Sequence, residues 1–389
     1  MPQQSHIMFK RAGFFAARIS ALVAVVVLSG CSMFSSKKEA NPPAPLVEFP
    51  QTLRTEKVWS IALGKSSTFQ FSPVYADNSV FAAVSDGTVA RLGINDGKAV
   101  WRINAGPLTA GVGSDGNVVV VVGEKGQVKA FDGDGKSLWQ AQAPSEVLTA
   151  PVVGYGMVLV RSIDNTITAY DADSGNRRWS VTRPLPTLTL RSAPGMALDA
   201  QTVYVALPGG RLSALALNNG GARWEVAVGD PRGTTELERI ADVSGVPALG
   251  LRDVCAVAYQ GRIACFDVGN GNVRWGKKFS SNSGLTVDGQ NVFSADDKGE
   301  VSKLSRDTGE SLWQNQKLSY RRLSAPIAVG KAVAVGDYEG YIHFLSRDDG
   351  SLVARTSTDG SPIQVTPIVA GGVVIFQTQA GTLVALAAE

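Results

Sequence analysis

Tryptophan recurs along this chain at residues 59, 101, 139, 179, 224, 275 and 313, at intervals of 42, 38, 40, 45, 51 and 38 residues. Repetition with a period near forty means that the chain is built from copies of one supersecondary unit, none of which buries its apolar faces alone. Six of the tryptophans follow a glycine by four residues: Gly97, Gly135, Gly175, Gly220, Gly271 and Gly309; a seventh glycine, Gly350, precedes Ala354, where the next tryptophan would fall. The glycines close polar strings such as Asn95-Asp96-Gly97, Asp171-Ala172-Asp173-Ser174-Gly175 and Arg306-Asp307-Thr308-Gly309. Asp, Ser and Thr side chains hydrogen-bond turn backbone, and glycine supplies the positive φ that closes it. Each glycine therefore reads as a turn and each tryptophan as a large apolar body on the strand that follows. Spaced this regularly, Trp59, Trp101, Trp139, Trp179, Trp224, Trp275 and Trp313 are packing elements between units rather than binding residues.

Between the turns lie short runs that are apolar on both faces, such as Ala150-Pro151-Val152-Val153, Met157-Val158-Leu159-Val160 and Thr166-Ile167-Thr168-Ala169-Tyr170. Such runs fit strands sandwiched between neighbours. Eight units are present, the last spanning 365–388, and the expected fold is all-β: an eight-bladed β-propeller of four-stranded antiparallel blades. The ends complement each other. Val58-Trp59-Ser60-Ile61 is a tryptophan strand with no turn before it, and Thr382-Leu383-Val384-Ala385-Leu386 has no tryptophan strand after it. The N-terminal strand is expected to complete the last blade as its outer edge, closing the ring without an open seam.

Ahead of the repeats, Lys10, Arg11 and Arg18 precede an apolar stretch from Ile19 to Leu28. This is the layout of a secretory signal, and the stretch is well short of the roughly 20 residues that span a bilayer. Met8, followed by Phe9-Lys10-Arg11, is an alternative start. Leu28-Ser29-Gly30-Cys31 resembles the lipobox of bacterial lipoproteins. That resemblance implies cleavage before Cys31, a diacylglycerol thioether on its sulfur and an acylated (palmitate-bearing) amine; Ser32 after the cysteine implies the periplasmic face of the outer membrane. Residues 1–30 are thus expected to be a signal peptide. The stretch 31–50, with Ser35-Ser36-Lys37-Lys38-Glu39 and Asn41-Pro42-Pro43-Ala44-Pro45, is expected to be a flexible tether, and 51–389 the propeller. The formal charge of the chain is +3 and the signal holds three cations and no acid, so the remainder is near zero. Without a basic field, nucleic-acid binding drops out.

Chemistry-bearing residues are few. His6 lies in the signal, leaving His343 within Tyr341-Ile342-His343-Phe344-Leu345, a strand position that suits a packed or rim histidine. A single imidazole builds neither a histidine-rich zinc site nor a Ser-His-Asp triad. Cys255 and Cys265 flank Gln260-Gly261 on one expected hairpin; the spacing leaves open a disulfide or two small buried residues. No phosphate loop and no metal-ligand cluster is present, and the acids fall mostly in repeat turns, so no catalytic, cofactor or metal residue is expected.

The string Ala169-Tyr170-Asp171-Ala172-Asp173-Ser174-Gly175-Asn176-Arg177-Arg178-Trp179 resembles the tryptophan-docking repeat of pyrroloquinoline-quinone (PQQ) dehydrogenase propellers, although the adjacent-cysteine ring of those enzymes is absent. Two segments break the repeat: Arg183-Pro184-Leu185-Pro186-Thr187-Leu188-Thr189-Leu190-Arg191-Ser192-Ala193-Pro194 and Gly233-Thr234-Thr235-Glu236-Leu237-Glu238-Arg239-Ile240-Ala241-Asp242-Val243. With the lipobox and the eight units, they resemble the BamB family, lipoproteins of the outer-membrane β-barrel assembly (BAM) machine. The resemblance runs from about residue 46 to the end. It implies a non-enzymatic scaffold that docks the periplasmic POTRA domains of BamA, contacts other BAM components indirectly and touches unfolded outer-membrane protein substrates transiently. The implied contacts are Leu188, Leu190 and Arg191 from one segment and Arg239, Ile240, Asp242 and Val243 from the other, with Ser244 where the family pattern has a second Asp. Asp242 would either pair with Arg191 or meet a cation on the partner. A PQQ- and Ca²⁺-dependent dehydrogenase-like periplasmic enzyme is the alternative reading, and a binder of cell-wall glycan a third.

Overall fold

The apolar runs and their turns fold into eight antiparallel sheets of four strands each, arranged as the blades of a propeller, in a computed structural model that describes residues 41–66, 69–190 and 194–389. In the first blade the strands run outward as Val74–Ala76, Ser79–Ala83, Thr88–Gly93 and Ala99–Asn104. The innermost strands of successive blades touch one another around the whole ring, the first blade also touching the last. Burial follows radial position. The five valines of Val118–Val122 are all buried between neighbouring blades, whereas in the outer strand Arg177–Thr182 Trp179 alone is buried. Eight apolar clusters result, each straddling one blade junction.

The ring closes as the unmatched ends require. Thr55–Ala62 pairs antiparallel with Thr382–Ala388 and forms the outer edge of the last blade, with Trp59 opposite Ala385. In every blade the register between the third and outer strands slips by one residue next to the tryptophan position; Trp179 faces Ala169, Arg177 faces Tyr170, and Arg178 is the extra residue. Such a bulge re-aims the side chain beside it.

Each tryptophan docks on the next blade, not on the turn that precedes it in sequence. The indole Nε1–H groups of Trp59, Trp101, Trp139, Trp179, Trp224, Trp275 and Trp313 donate to the carbonyls of Ile94, Gly133, Ala172, Leu217, Val268, Arg306 and Arg347 at 2.6 to 3.1 Å. Each ring lies on the turn glycine of that neighbour. Gly175, at φ +71°, is so close to Trp139 that an added Cβ would stand 2.5 Å from the ring. The glycine is therefore needed twice over, for its left-handed backbone and for the ring above it.

The body starts earlier than the expected boundary at residue 51. A compact unit begins at Pro43, and residues 44–53 run in extended form along the outside of the seventh blade. Ala44 N–H donates to Ser319 O (2.8 Å), Arg321 donates to Ala44 O (3.0 Å), Arg355 donates to Val47 O (2.8 Å), and the Thr52 and Leu53 amides donate to Val353 O. Phe49 packs against the junction of blades six and seven, with the Arg355 guanidinium 5.1 Å from its ring centroid. Composition alone makes this stretch a tether as far as residue 50; backbone hydrogen bonds to distant strands make its last part a strap. Cys31 lies outside the described residues.

The open choice at Cys255 and Cys265 is resolved as a disulfide. A two-residue turn, Tyr259-Gln260, joins Asp253–Ala258 to Gly261–Asp267 and sets the two cysteines directly opposite each other, both fully buried.

Candidate docking surface

The two irregular segments are both connections from the outer strand of one blade to the inner strand of the next, so they emerge on the same face of the ring. The first links Arg177–Thr182 to Met196–Leu198, and the second links Ala222–Ala227 to Val243–Leu249. Asp242 joins them. Its carboxylate accepts the backbone N–H of Leu190 at 2.6 Å through Oδ2 and that of Gly209 at 2.9 Å through Oδ1. Asp242 is only 2% exposed. Asp242 thereby fixes the end of the first loop from beneath, a role distinct from the two expected in the sequence, pairing with Arg191 or meeting a cation on the partner. Arg191 lies outside the described residues.

The second loop is organised by its own side chains. Glu238 Oε2 accepts the amides of Thr234 and Thr235 at 2.8 and 3.1 Å and the Thr234 hydroxyl at 3.0 Å. Those amide bonds, from Thr235 foremost, hold its carboxyl below the ordinary glutamate value. Arg239 is pinned by Nε to Gly233 O (3.1 Å) and by Nη1 to Glu236 (3.2 Å), with about half of its side chain exposed. Ile240 is half-buried, while Ala241, Val243 and Ser244 are buried, so the outward part of this loop ends at Arg239.

Between these fixed points stand apolar side chains open to solvent: Leu185, Leu188 and, most of all, Leu237, 69% exposed; Leu190 is half-buried. Outward leucines and a half-exposed arginine on backbone fixed by hydrogen bonds have the make-up of a protein-binding hot spot. Leu237 was not singled out in the sequence; its place in a polar turn, Glu236-Leu237-Glu238, is the signal that would have found it.

His343 is fully buried, the packed outcome of the sequence expectation, with Nε2 donating to Asp337 Oδ2 at 2.8 Å. Burial pushes its pKa down against the pull of Asp337 and keeps the ring neutral. Burial pushes Asp337 up, but the hydrogen bonds from His343, Tyr341 N–H and Arg321 outweigh it and leave the carboxyl below its ordinary value. Arg321 ties this pair to Glu339 and to the strap at Ala44. Among the described residues the one grouping of metal-type donors is Asp253 with Cys255 and Cys265; its sulfurs are spent in the disulfide and its carboxylate on Arg306 at 2.5 Å. No helix among the described residues is long and apolar enough to cross a membrane.

The chain is similar to proteins of known sequence and structure. The sequence profile described as outer membrane protein assembly factor BamB matches residues 85–315 and 298–389. Outer membrane protein assembly factor BamB of Bordetella pertussis is 44% identical over 370 residues, covering 95% of this chain and 96% of that protein. Its Escherichia coli namesake is 31% identical over 382 residues, covering 94% and 97%. The crystal structure of BamB from Moraxella catarrhalis superposes with a TM-score of 0.78 at 29% identity, over 86% of this chain and all of that one. The quinohemoprotein alcohol dehydrogenase of Comamonas testosteroni, at 14% identity and a TM-score of 0.66 over 85% of this chain and 76% of that one, shares the fold alone.

Proposed function

This chain belongs to the family of outer membrane protein assembly factor BamB, and from that premise we propose that it is a non-enzymatic scaffold docking the periplasmic POTRA domains of BamA through its two irregular loops. Its role lies in outer-membrane protein assembly. The observation that carries the docking reading is the double hydrogen bond of Asp242, which makes one surface of loops from consecutive blades and leaves Leu188, Leu237 and Arg239 facing outward. Arg191, beside Leu190, adds a cation whose planar fork suits a carboxylate or backbone carbonyls on BamA. Cys31 carries the lipid that holds the protein at the periplasmic face of the outer membrane. Other faces of the ring meet unfolded β-barrel chains transiently, and remaining BAM components are reached through BamA.

Titration calorimetry against the POTRA domains tests the surface. Truncating a hot-spot side chain costs about 2 kcal/mol or more, roughly thirtyfold in affinity. Arg191→Ala and Leu188→Ala/Leu190→Ala should each show such a loss while melting like the parent. Parental affinity in both variants would place the contact elsewhere.

A further inference from the structure

Beneath the first loop lies a cavity of about 230 Å³, walled by Glu146, Arg161, Ser162 and Asn165 and roofed by Leu185 and Thr189 of the loop itself. Arg161, at the end of Met157–Arg161, is 7% exposed. Two of its N–H groups are used, Nη1 on Ala206 O (2.8 Å) and Nη2 on the Thr149 hydroxyl (3.2 Å); Nε is buried with no partner. No carboxylate of the described residues forms an ion pair with it. The acid whose charge reaches it is Asp242, already bonded to two backbone amides. Burial accordingly lowers its pKa to about 10, with Asp242 opposing. Among the described residues, the other deeply buried arginine is treated differently: Arg321 has both Asp337 and Glu339. A buried cation is costly unless something pairs with it.

Asn165 supplies the complementary group. Its Nδ2 donates to Pro184 O at 2.9 Å, tying down the base of the loop, while its buried Oδ1 accepts nothing. Both residues border the cavity, one a buried cation with no carboxylate paired to it among the described residues and the other a buried amide whose acceptor is unfilled. An acidic residue of a polypeptide carries the counterpart of both, a carboxylate for the guanidinium and an N–H for the amide oxygen. We propose that this cavity is a receptor site for a single Asp or Glu residue of a bound protein, with Arg161 as its buried cation and Asn165 as its acceptor. The site deepens the docking reading above, on which the origin of the acid from the docked partner rests. Its volume, below the roughly 300–1,000 Å³ of pockets for drug-sized ligands, is on the scale of one side chain.

The test follows the Arg161 Nε–Hε signal by ¹H–¹⁵N NMR in the full propeller, assigned by its loss in Arg161→Met. Titration with N-acetyl-glutamic acid amide should shift it saturably, and N-acetyl-glutamine amide at equal concentration should not. Equal responses to both probes, or none, overturn the site. Should Arg161→Met fail to fold, Glu146→Gln decides: a response that appears only in this variant makes Glu146 the natural counter-ion and overturns the proposal, whereas an unchanged response supports it. A final arm adds the POTRA domains. A shift of the same signal, together with at least threefold weaker docking in the presence of saturating glutamate probe, assigns the acid to the partner. Docking that leaves Arg161 undisturbed overturns that assignment. Failure to dock overturns the docking reading alone, because the probe response stands without it.

Discussion

Seven of the eight blade junctions are closed by a tryptophan lying on its neighbour's turn glycine, and the eighth, between the seventh and last blades, is not. There Ala354 holds the tryptophan position. The last blade has no third-to-outer-strand turn for a ring to lie on, because its outer strand arrives from the other end of the chain. Residues 52–54 and 389 fill the gap: Arg54 and Glu389 exchange backbone hydrogen bonds at 3.2 and 3.1 Å, the Thr52 and Leu53 amides bond Val353 O, and Leu53 joins the apolar cluster that contains Ala354. Beyond the apolar cluster that each junction has, the regular junctions are thus latched by one large side chain on a small one, and the remaining junction by backbone pairing. The first kind is written in local sequence spacing; the second exists only once the ring has formed.

The largest expected effect comes from removing the closure. Deleting residues 51–62 takes away the whole Thr55–Ala62 ladder and Trp59, and bares the edge of Thr382–Ala388. An unpaired apolar edge invites association. Size-exclusion chromatography and thermal melting should show aggregation or loss of the cooperative transition. A soluble monomer with the parental Tm would mean that the ring does not need its eighth outer strand.

A regular junction should break in proportion to its ring. Trp139→Ala removes a nearly buried indole together with its bond to Ala172 O, a loss of about 3–5 kcal/mol. Gly175→Ala forces a left-handed alanine against the same ring, costing about 1–3 kcal/mol. Because the first change empties the space that the second fills, denaturant melts of the double variant should show less than the sum. Strict additivity would show that Gly175 is required for its turn alone.

Acid should act through the buried trio. The folded-state pKa of His343 lies below its unfolded value near 6.5, so as pH falls through 6.5 the unfolded chain binds a proton that the folded one refuses, and stability drops. Asp337, also lowered, adds a second loss that begins only below its unfolded value near 3.8. Melting at pH 7.5 and 5.5 should therefore show a decrease in the parent that shrinks in His343→Gln. An undiminished decrease in the variant would assign the acid sensitivity to other groups.

How much of this was legible follows the same division. The tryptophan and glycine spacing gave the blade count, and the two unmatched ends gave the closure, because both are patterns in local sequence. That each glycine serves the previous blade's tryptophan was hidden, since a linear motif shows the turn and the ring as neighbours when they belong to different partners. Asp242 reads as one more acid in a polar loop; only folding brings it under Leu190, 52 residues away. The Arg321–Asp337–His343 cluster has no motif spacing, and the two-residue turn that sets Cys255 opposite Cys265 has Gln260 at φ +50° rather than the usual glycine. The strap was missed because proline-rich polar composition is the mark of a linker, and its hydrogen bonds run to strands some three hundred residues away.

The strap also supplies the smallest test of the comparison. Phe49 is half-buried against the junction of blades six and seven, under the Arg355 guanidinium. An arginine over an aromatic ring near the surface contributes about 0.5–1 kcal/mol, so Phe49→Ala should loosen residues 44–53 without breaching the ring. Hydrogen exchange should quicken at the Ala44 amide, whose acceptor is Ser319 O, and at the Thr52 and Leu53 amides on Val353 O. The amides of Met157–Arg161, in the middle of a regular blade, should exchange as in the parent, because local opening draws on local contacts. A loss of 1 kcal/mol or less in a chain this long moves Tm by no more than about 2 °C. If Phe49→Ala instead lowered Tm as far as Trp139→Ala does, the strap would belong to the cooperative core.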